Sequence, residues 1–346
     1  MNPWHSLLGT ELPIIQAPMA GSQGSALAIV VCNAGGLGSL PCALLTADQI
    51  RDELAAIRAQ TTRPFNVNFF CHEPPELSEA REAAWQAALA PYYAEFGLDL
   101  RSIAAGIGRA PFSAAAAEVL SAFRPPIVSF HFGLPSDALL ARVRLWGAKV
   151  LASATTVDEA RVLERRGVDA VIAQGLEAGG HRGHFLSDDL SRQLGTFALL
   201  PQIVAAVRVP VIATGGIVDA KGVAAARALG ATAVQAGTAY LLCPEAATSA
   251  VHRRALQGEH AAHTALTNLF SGRPARGIVN RLMRELGPIS ATAPQFPLAS
   301  AAIAPLRAAA ERSGSGDFSP LWSGQNASGC RALPAAEVTA ALAAGW

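Results

Sequence analysis

Eight short β-rich runs, nearly all followed by a segment of helical period, constrain this chain more than any other feature. The runs fall at 13–16, 36–39, 65–69, 126–130, 149–152, 170–174, 209–213 and 233–236. Helices are predicted between them at 25–34, 46–59, 135–146, 157–166, 197–207 and 219–229. Thr46 and Asp219 read as N-caps, and Gly167 and Gly230 sit where helices should stop. Eight βα units are the count of a (β/α)8 TIM barrel. A doubly wound sheet is the alternative, but its G-x-G-x-x-G after the first strand is absent, and Ala17-Pro18-Met19-Ala20-Gly21 stands there instead. The expected organisation is a barrel over 1–244 with an excursion at 71–117, helical over 76–90. A smaller helical lid or substrate-side segment follows at 245–300. Residues 301–346 then read as a helix, a loop through Trp322 and a last helix, packing back on the barrel.

The strand ends carry the chemistry. After the sixth strand comes Gln174-Gly175-Leu176-Glu177-Ala178-Gly179-Gly180-His181-Arg182-Gly183, where four glycines let backbone approach a flat or anionic group around one imidazole. The seventh run leads into Thr214-Gly215-Gly216-Ile217 and the eighth into Gly237-Thr238. Loops after strands seven and eight of such barrels commonly bind phosphate through backbone N–H groups. Gln16, the Ala17-Pro18-Met19 backbone, Asn68, His131 and Gln174 add polar groups at the same mouth. Asn66 and Asn68 lie two apart in a strand, so both face the barrel or both avoid it. Met19 packs on a ring face or simply fills core. His181, with an ordinary pKa near ~6.5, is the candidate proton acceptor or donor.

Other chemistries find no support. A net charge of +1 with 15% charged residues gives no basic surface for nucleic acid. The apolar runs fall short of the roughly 20 residues a membrane helix needs. The start Met1-Asn2-Pro3-Trp4-His5 has no leader pattern, and five scattered cysteines lack C-x-x-C spacing, so reduced thiols and a cytoplasmic location are expected. His184 follows His181 by three but has no third ligand at a supporting spacing, so no metal site is expected, and His184 reads as an exposed loop residue. His252, His260 and His263 likewise read as exposed. No heptad or large apolar stripe speaks to oligomeric state.

At these residues the chain resembles the nitronate monooxygenases, formerly 2-nitropropane dioxygenases, which are FMN-dependent (β/α)8 enzymes. The matching pieces include Pro13 to Gly21, Asn33-Ala34-Gly35-Gly36-Leu37-Gly38, Phe65-Asn66-Val67-Asn68-Phe69-Phe70, Ser129-Phe130-His131-Phe132-Gly133 and Glu177 to Gly183. Those after strands seven and eight match as well. Ser271 to Gly277 and Leu321-Trp322-Ser323-Gly324-Gln325 look like the class I branch. The Ala-Pro-Met and Gly-Gly-His pieces are shared with flavin-dependent enoyl reductases and quinone reductases, so an NAD(P)H-dependent reductase of a quinone or enoyl thioester is the alternative. The resemblance implies oxidation of an alkyl nitronate, propionate 3-nitronate, by O2 to a carbonyl compound plus nitrite or nitrate through a flavin semiquinone. It implies His181 as base or anion-orienting group. It places FMN on Ala17, Pro18, Met19, Asn68, Gln174, Gly175, Gly179, Gly180, Gly215, Gly216, Gly237, Thr238, Trp322 and Gln325, with His131 and Phe296 on the substrate side. One position departs: class I members often carry tyrosine before proline where this chain has Phe296-Pro297. That loss of a phenol is expected to shift preference toward bulkier or more apolar nitronates.

Overall fold

The computed structural model describes residues 3–103 and 109–346, so part of the 71–117 excursion lies outside the described residues. Eight parallel strands form the centre: β1 (Ile14–Gln16), β2 (Gly38–Pro41), β3 (Phe65–Phe70), β4 (Ile127–His131), β5 (Lys149–Ala154), β6 (Ala170–Gln174), β7 (Val211–Thr214) and β8 (Ala233–Ala236). Each pairs with its sequence neighbour, and β8 returns to β1 in the register Ile14↔Val234. A bridge between Ile15 and Leu37 closes the ring, with Gln16 N donating to Leu37 O at 2.9 Å. The chain is a closed (β/α)8 barrel, and its strands are buried on both faces because other elements cover each side. β2 begins two residues later than expected, Gly36 N donating back to Val31 O of the preceding helix at 3.1 Å and Leu37 being occupied by the closing bridge.

The barrel interior is layered. Leu7 and Leu8 of the short helix Pro3–Leu8 pack with Ile15, Ile127, Leu151, Ile172 and Ile212 at the closed end. Toward the strand C-termini the interior turns polar: Asn66 Nδ2 donates to Ser39 Oγ at 3.0 Å and Ser129 Oγ at 2.9 Å, and Asn68 Nδ2 to Ser129 Oγ at 2.9 Å. Both asparagines therefore face inward. Outside, Thr46 forms a capping box and Asp219 accepts from Gly222 N at 2.8 Å. Gly167 and Gly230 follow their helices at φ of +75° and +96°.

The remainder forms a satellite over the mouth. Helix Glu79–Glu95 in the excursion buries Trp85, Leu89 and Tyr93 against Phe270, Ile303, Leu306 and Phe318 of the later chain. Tyr93 OH donates to Ala302 O at 2.7 Å. Helix Ala299–Arg312 thus packs on the satellite, and within 301–346 it is helix Ala335–Ala343 that returns to the barrel, where the hydroxyls of Thr339 and Tyr240 lie 2.9 Å apart. Two elements went unexpected. Helix Ala114–Phe123, capped by Ser113, ends the excursion, and Thr264–Thr267, Ala275–Ile278 and Gly180–His181 make a small antiparallel sheet. Among the described residues no helix is long and apolar enough to cross a membrane, and no group of metal-ligating side chains assembles.

Candidate active site

The barrel mouth opens into a cavity of about 1200 Å³, counted out to bulk solvent. It is lined by Ala17, Pro18, Met19, Asn68, His131, Gln174, Gly179, Gly180, His181, Gly215, Gly216, Gly237, Thr238 and Trp322. Two of the expected cofactor-side residues lie elsewhere. Gly175 sits beneath the lining, its N donating to Thr214 O at 2.9 Å and its O accepting from Arg182 Nη1 at 2.6 Å. Gln325 is exposed and only its backbone is anchored, N donating to Glu177 O at 2.9 Å, while Gly324 and Asn326 on either side reach the cavity.

One wall is backbone. Gly215 and Gly216 adopt φ of +120° and +72°, which favour glycine. A Cβ on Gly179 would meet Gly324 N at 2.5 Å and Ser323 C at 2.6 Å, so this approach excludes any side chain. Glu177 stands behind the loops: Thr196 N donates to its Oε2 at 2.7 Å, and the Thr196 hydroxyl lies 2.9 Å from both that oxygen and Gly215 O. Gly324 N donates to Thr238 Oγ1 at 3.0 Å, joining the post-barrel loop to the cradle. The N–H groups of Gly215, Gly216, Gly237 and Thr238 have no hydrogen-bond partner among the described residues. Several unpaired donors converging on a cavity fit an anion such as a phosphate monoester.

The opposite wall carries His181. The two-residue strand Gly180–His181 pairs with Ala275–Ile278, and His181 O accepts from Gln174 Nε2 at 2.9 Å and His131 Nε2 at 3.1 Å. Gly183 N donates to Gln174 Oε1 at 2.7 Å, so both ends of the Gln174 amide clamp the His181 loop. The His181 Nε2 lies 2.8 Å from Ser271 Oγ, and its Nδ1 has no partner among the described residues. Phe296, Trp322, Phe70 and Phe132 surround the imidazole at centroid distances of 5.3, 5.5, 6.0 and 6.1 Å. Phe296 joins the site through this cage, its peptide bond to Pro297 being cis. Phe132 holds φ of +68°, a strained turn for a bulky residue, directly after His131.

This apolar enclosure decides protonation. Burial, followed by the positive charge of Arg109, holds His181 well below the ordinary histidine range, so its imidazole is neutral. Burial lowers His131 to about 3. Its Nε2 must carry the proton to donate to the His181 carbonyl, so Nδ1 accepts from Ser153 Oγ at 3.0 Å. His72, its ring 4.8 Å from that of Phe296, is lowered to about 4, again chiefly by burial.

Two expectations are corrected. His184 is buried, not exposed: the loop after Gly183 folds inward, its Nε2 lies 3.2 Å from Asp188 Oδ1, and burial lowers it to about 4. His252 is also buried, its Nε2 donating to Trp322 O at 3.1 Å and so fixing the loop that carries Trp322. His260 and His263 are exposed as expected. Sequence reasoning missed Ser271, Arg109 and Arg182. Arg182 is wholly buried and donates to Gln174 O at 2.8 Å, Gly175 O at 2.6 Å and Gln193 Oε1 at 2.6 Å, tying off the end of β6. Its place inside the Gly-Gly-His-Arg-Gly run was the available signal.

A closed barrel with a glycine cradle and a neutral histidine at the strand C-termini defines a (β/α)8-barrel enzyme with its site at the usual mouth. Comparison with protein families matches residues 2–345 to Nitronate monooxygenase. The chain belongs to the nitronate monooxygenase family and is an oxidoreductase acting with incorporation of oxygen. A nitronate monooxygenase of Paraburkholderia phytofirmans is 46% identical over 97% of this chain and 92% of its own length. One of Pseudomonas aeruginosa is 44% identical over 97% and 96%. Among solved structures, nitroalkane oxidase from Streptomyces ansochromogenes superposes with a TM-score of 0.90 at 42% identity, covering 99% of this chain and 96% of that one. FabK from Thermotoga maritima gives 0.71 at 25% identity, covering 99% and 94%.

Proposed function

We propose that this chain binds FMN and oxidises alkyl nitronates with O2 to a carbonyl compound and nitrite or nitrate, with propionate 3-nitronate as substrate. The observation that carries the reading is the junction of two features in one cavity: unpaired backbone N–H groups after β7 and β8, and a neutral imidazole in an aromatic cage after β6. Gly215, Gly216, Gly237 and Thr238 would hold the phosphate, with Asn68 and the Ala17–Met19 backbone toward the ring system. The Asn68 Oδ1 has no partner among the described residues and can accept from a ring N–H. Bound FMN would supply the redox centre and the means of engaging O2.

The residues of the chain do the rest. Phe70, Phe132, Phe296 and Trp322 exclude water around the reacting carbon. Neutral His181 can take the α-proton from a nitroalkane, or orient a nitronate that arrives ionised. Gln174 and His131 fix its backbone, while Ser271 meets its ring. Five unpaired cysteines support a reducing, cytoplasmic setting. The test is nitronate-dependent oxygen consumption by the yellow protein, with an NADH control. Rapid turnover of propionate 3-nitronate without NADH is expected; anaerobic bleaching by NADH with no response to nitronate would replace this reading by an NAD(P)H-dependent reductase.

A further inference from the structure

Arg109 is a half-buried arginine in the barrel mouth whose guanidinium meets no acceptor among the described residues. Arg182, Arg253, Arg273 and Arg276 each donate to backbone carbonyls. Arg109 lines the cavity, yet its Nε and Nη1 are enclosed by protein without a partner. The charge that acts on it is another cation, Arg307. The guanidinium stands 5.6 Å over the Phe296 ring, and the His181 imidazole lies 5.3 Å from the same ring, beside His72 at 4.8 Å and Phe132 at 5.4 Å. The charge and the proton acceptor are thus one aromatic ring apart. Enclosing a guanidinium without a counter-charge is costly, so the arrangement fits a cation whose partner arrives with the ligand.

Building on the nitronate reading above, we propose that Arg109 is a specificity-determining residue that receives a carboxylate at the far end of the substrate's alkyl chain. The nitronate end lies at His181, a short chain crosses Phe296, and the carboxylate takes charge-assisted hydrogen bonds from Arg109. Arg273 is a weaker candidate, because it is committed to the His184 carbonyl and lies 4.2 Å over the Phe132 ring. The structure therefore assigns discrimination between anionic and uncharged tails to Arg109.

The holoenzyme is assayed with propionate 3-nitronate and with propyl-1-nitronate, which differ in the tail carboxylate, as wild type, Arg109→Met and Arg109→Lys. The ratio of the two kcat/KM values is expected to fall by about 10- to 100-fold in Arg109→Met and to recover largely in Arg109→Lys. Calorimetric titration with 3-nitropropanoate and 1-nitropropane reads the same preference without turnover. A ratio and a binding preference within about twofold of wild type in Arg109→Met would overturn the assignment. If the wild type oxidises no nitronate but binds 3-nitropropanoate through Arg109, the reaction assigned above fails while the carboxylate site stands.

Discussion

The His181 Nε2 and the Ser271 Oγ lie 2.8 Å apart, across the short sheet that joins the end of β6 to the post-barrel segment. The residues are ninety positions apart in the chain, and the pairing of Ala275 with His181 is what brings them together. Gly272, at φ of +90°, turns tightly against Pro294 and Gln295, seating Phe296 on the same side. Ser271 therefore acts as a positioning residue for the imidazole. Ser271→Ala is expected to lower kcat by about 5- to 10-fold, the worth of one hydrogen bond, with a smaller change in KM. Stopped-flow reduction by nitronate against nitronate concentration separates the two; an effect on KM alone would contradict positioning.

His181→Asn separates the two roles of the imidazole. If neutral His181 removes the α-proton, turnover of a neutral nitroalkane falls by about 100-fold or more, while turnover of the preformed nitronate falls far less. The wild-type kcat/KM for the nitroalkane should also rise with pH only while His181 loses its proton. Because burial holds that event well below the ordinary histidine range, the profile should be flat through neutrality on its acid side. Equal losses on both substrates would assign His181 to anion binding. Paired oxygen-electrode assays decide it.

The barrel was legible because a strand covered on both sides must be apolar along its length, and runs such as Ala170–Gln174 bounded by Asp and Gly show this locally. The glycine cradle was legible for the same reason, since its backbone demands are met within one loop. The satellite was not. Trp85 is buried by Ala299, Ile303 and Phe318, partners more than two hundred residues away, and Pro91 lies inside helix Glu79–Glu95 where it reads as a breaker. A two-residue strand such as Gly180–His181 has no period to detect. His184 and His252 were misplaced because burial of one side chain depends on what folds over it. Arg109 stands in no motif, and its meaning comes only from the lack of an acceptor for its Nε and Nη1 among the described residues.

Gly179 tests the cradle. An added Cβ would collide with the backbone of Ser323 and Gly324, which cannot yield as a side-chain tip can. Gly179→Ala should push the post-barrel loop off the cradle and reduce retained FMN by at least about tenfold, while the barrel core is untouched. Flavin released per polypeptide, with far-UV circular dichroism as the control, measures this. Full flavin content would show that the loop is not part of the cofactor site.

Phe296→Tyr tests the departure noted in the sequence. Phe296 is buried between His72, Phe132, His181 and Arg109, so a phenol there adds a polar group beside the substrate chain. The variant should lower kcat/KM for long apolar nitronates relative to short ones by about 3- to 10-fold. Steady-state kinetics on ethyl and hexyl nitronates provide the comparison. An unchanged ratio would remove Phe296 from the determinants of chain preference.

The buried histidines set the acid limit of the fold. His131, His72 and His252 are held neutral, at about 3, 4 and 4, by burial, against about 6.5 once unfolded. A depressed native value means that the unfolded chain binds protons first as pH drops. Their full contribution is therefore present above about pH 6.5 and is lost progressively as pH falls toward 4. For His252, almost wholly buried, the loss is of order 2–3 kcal/mol across that window. Urea unfolding of the apoprotein at pH 7 and pH 4.5 should show a large drop in midpoint. His252→Gln keeps a donor toward the Trp322 carbonyl but cannot titrate, so its midpoint should fall less steeply between the two pH values. Parallel slopes for the two proteins would mean that His252 is already protonated in the native state.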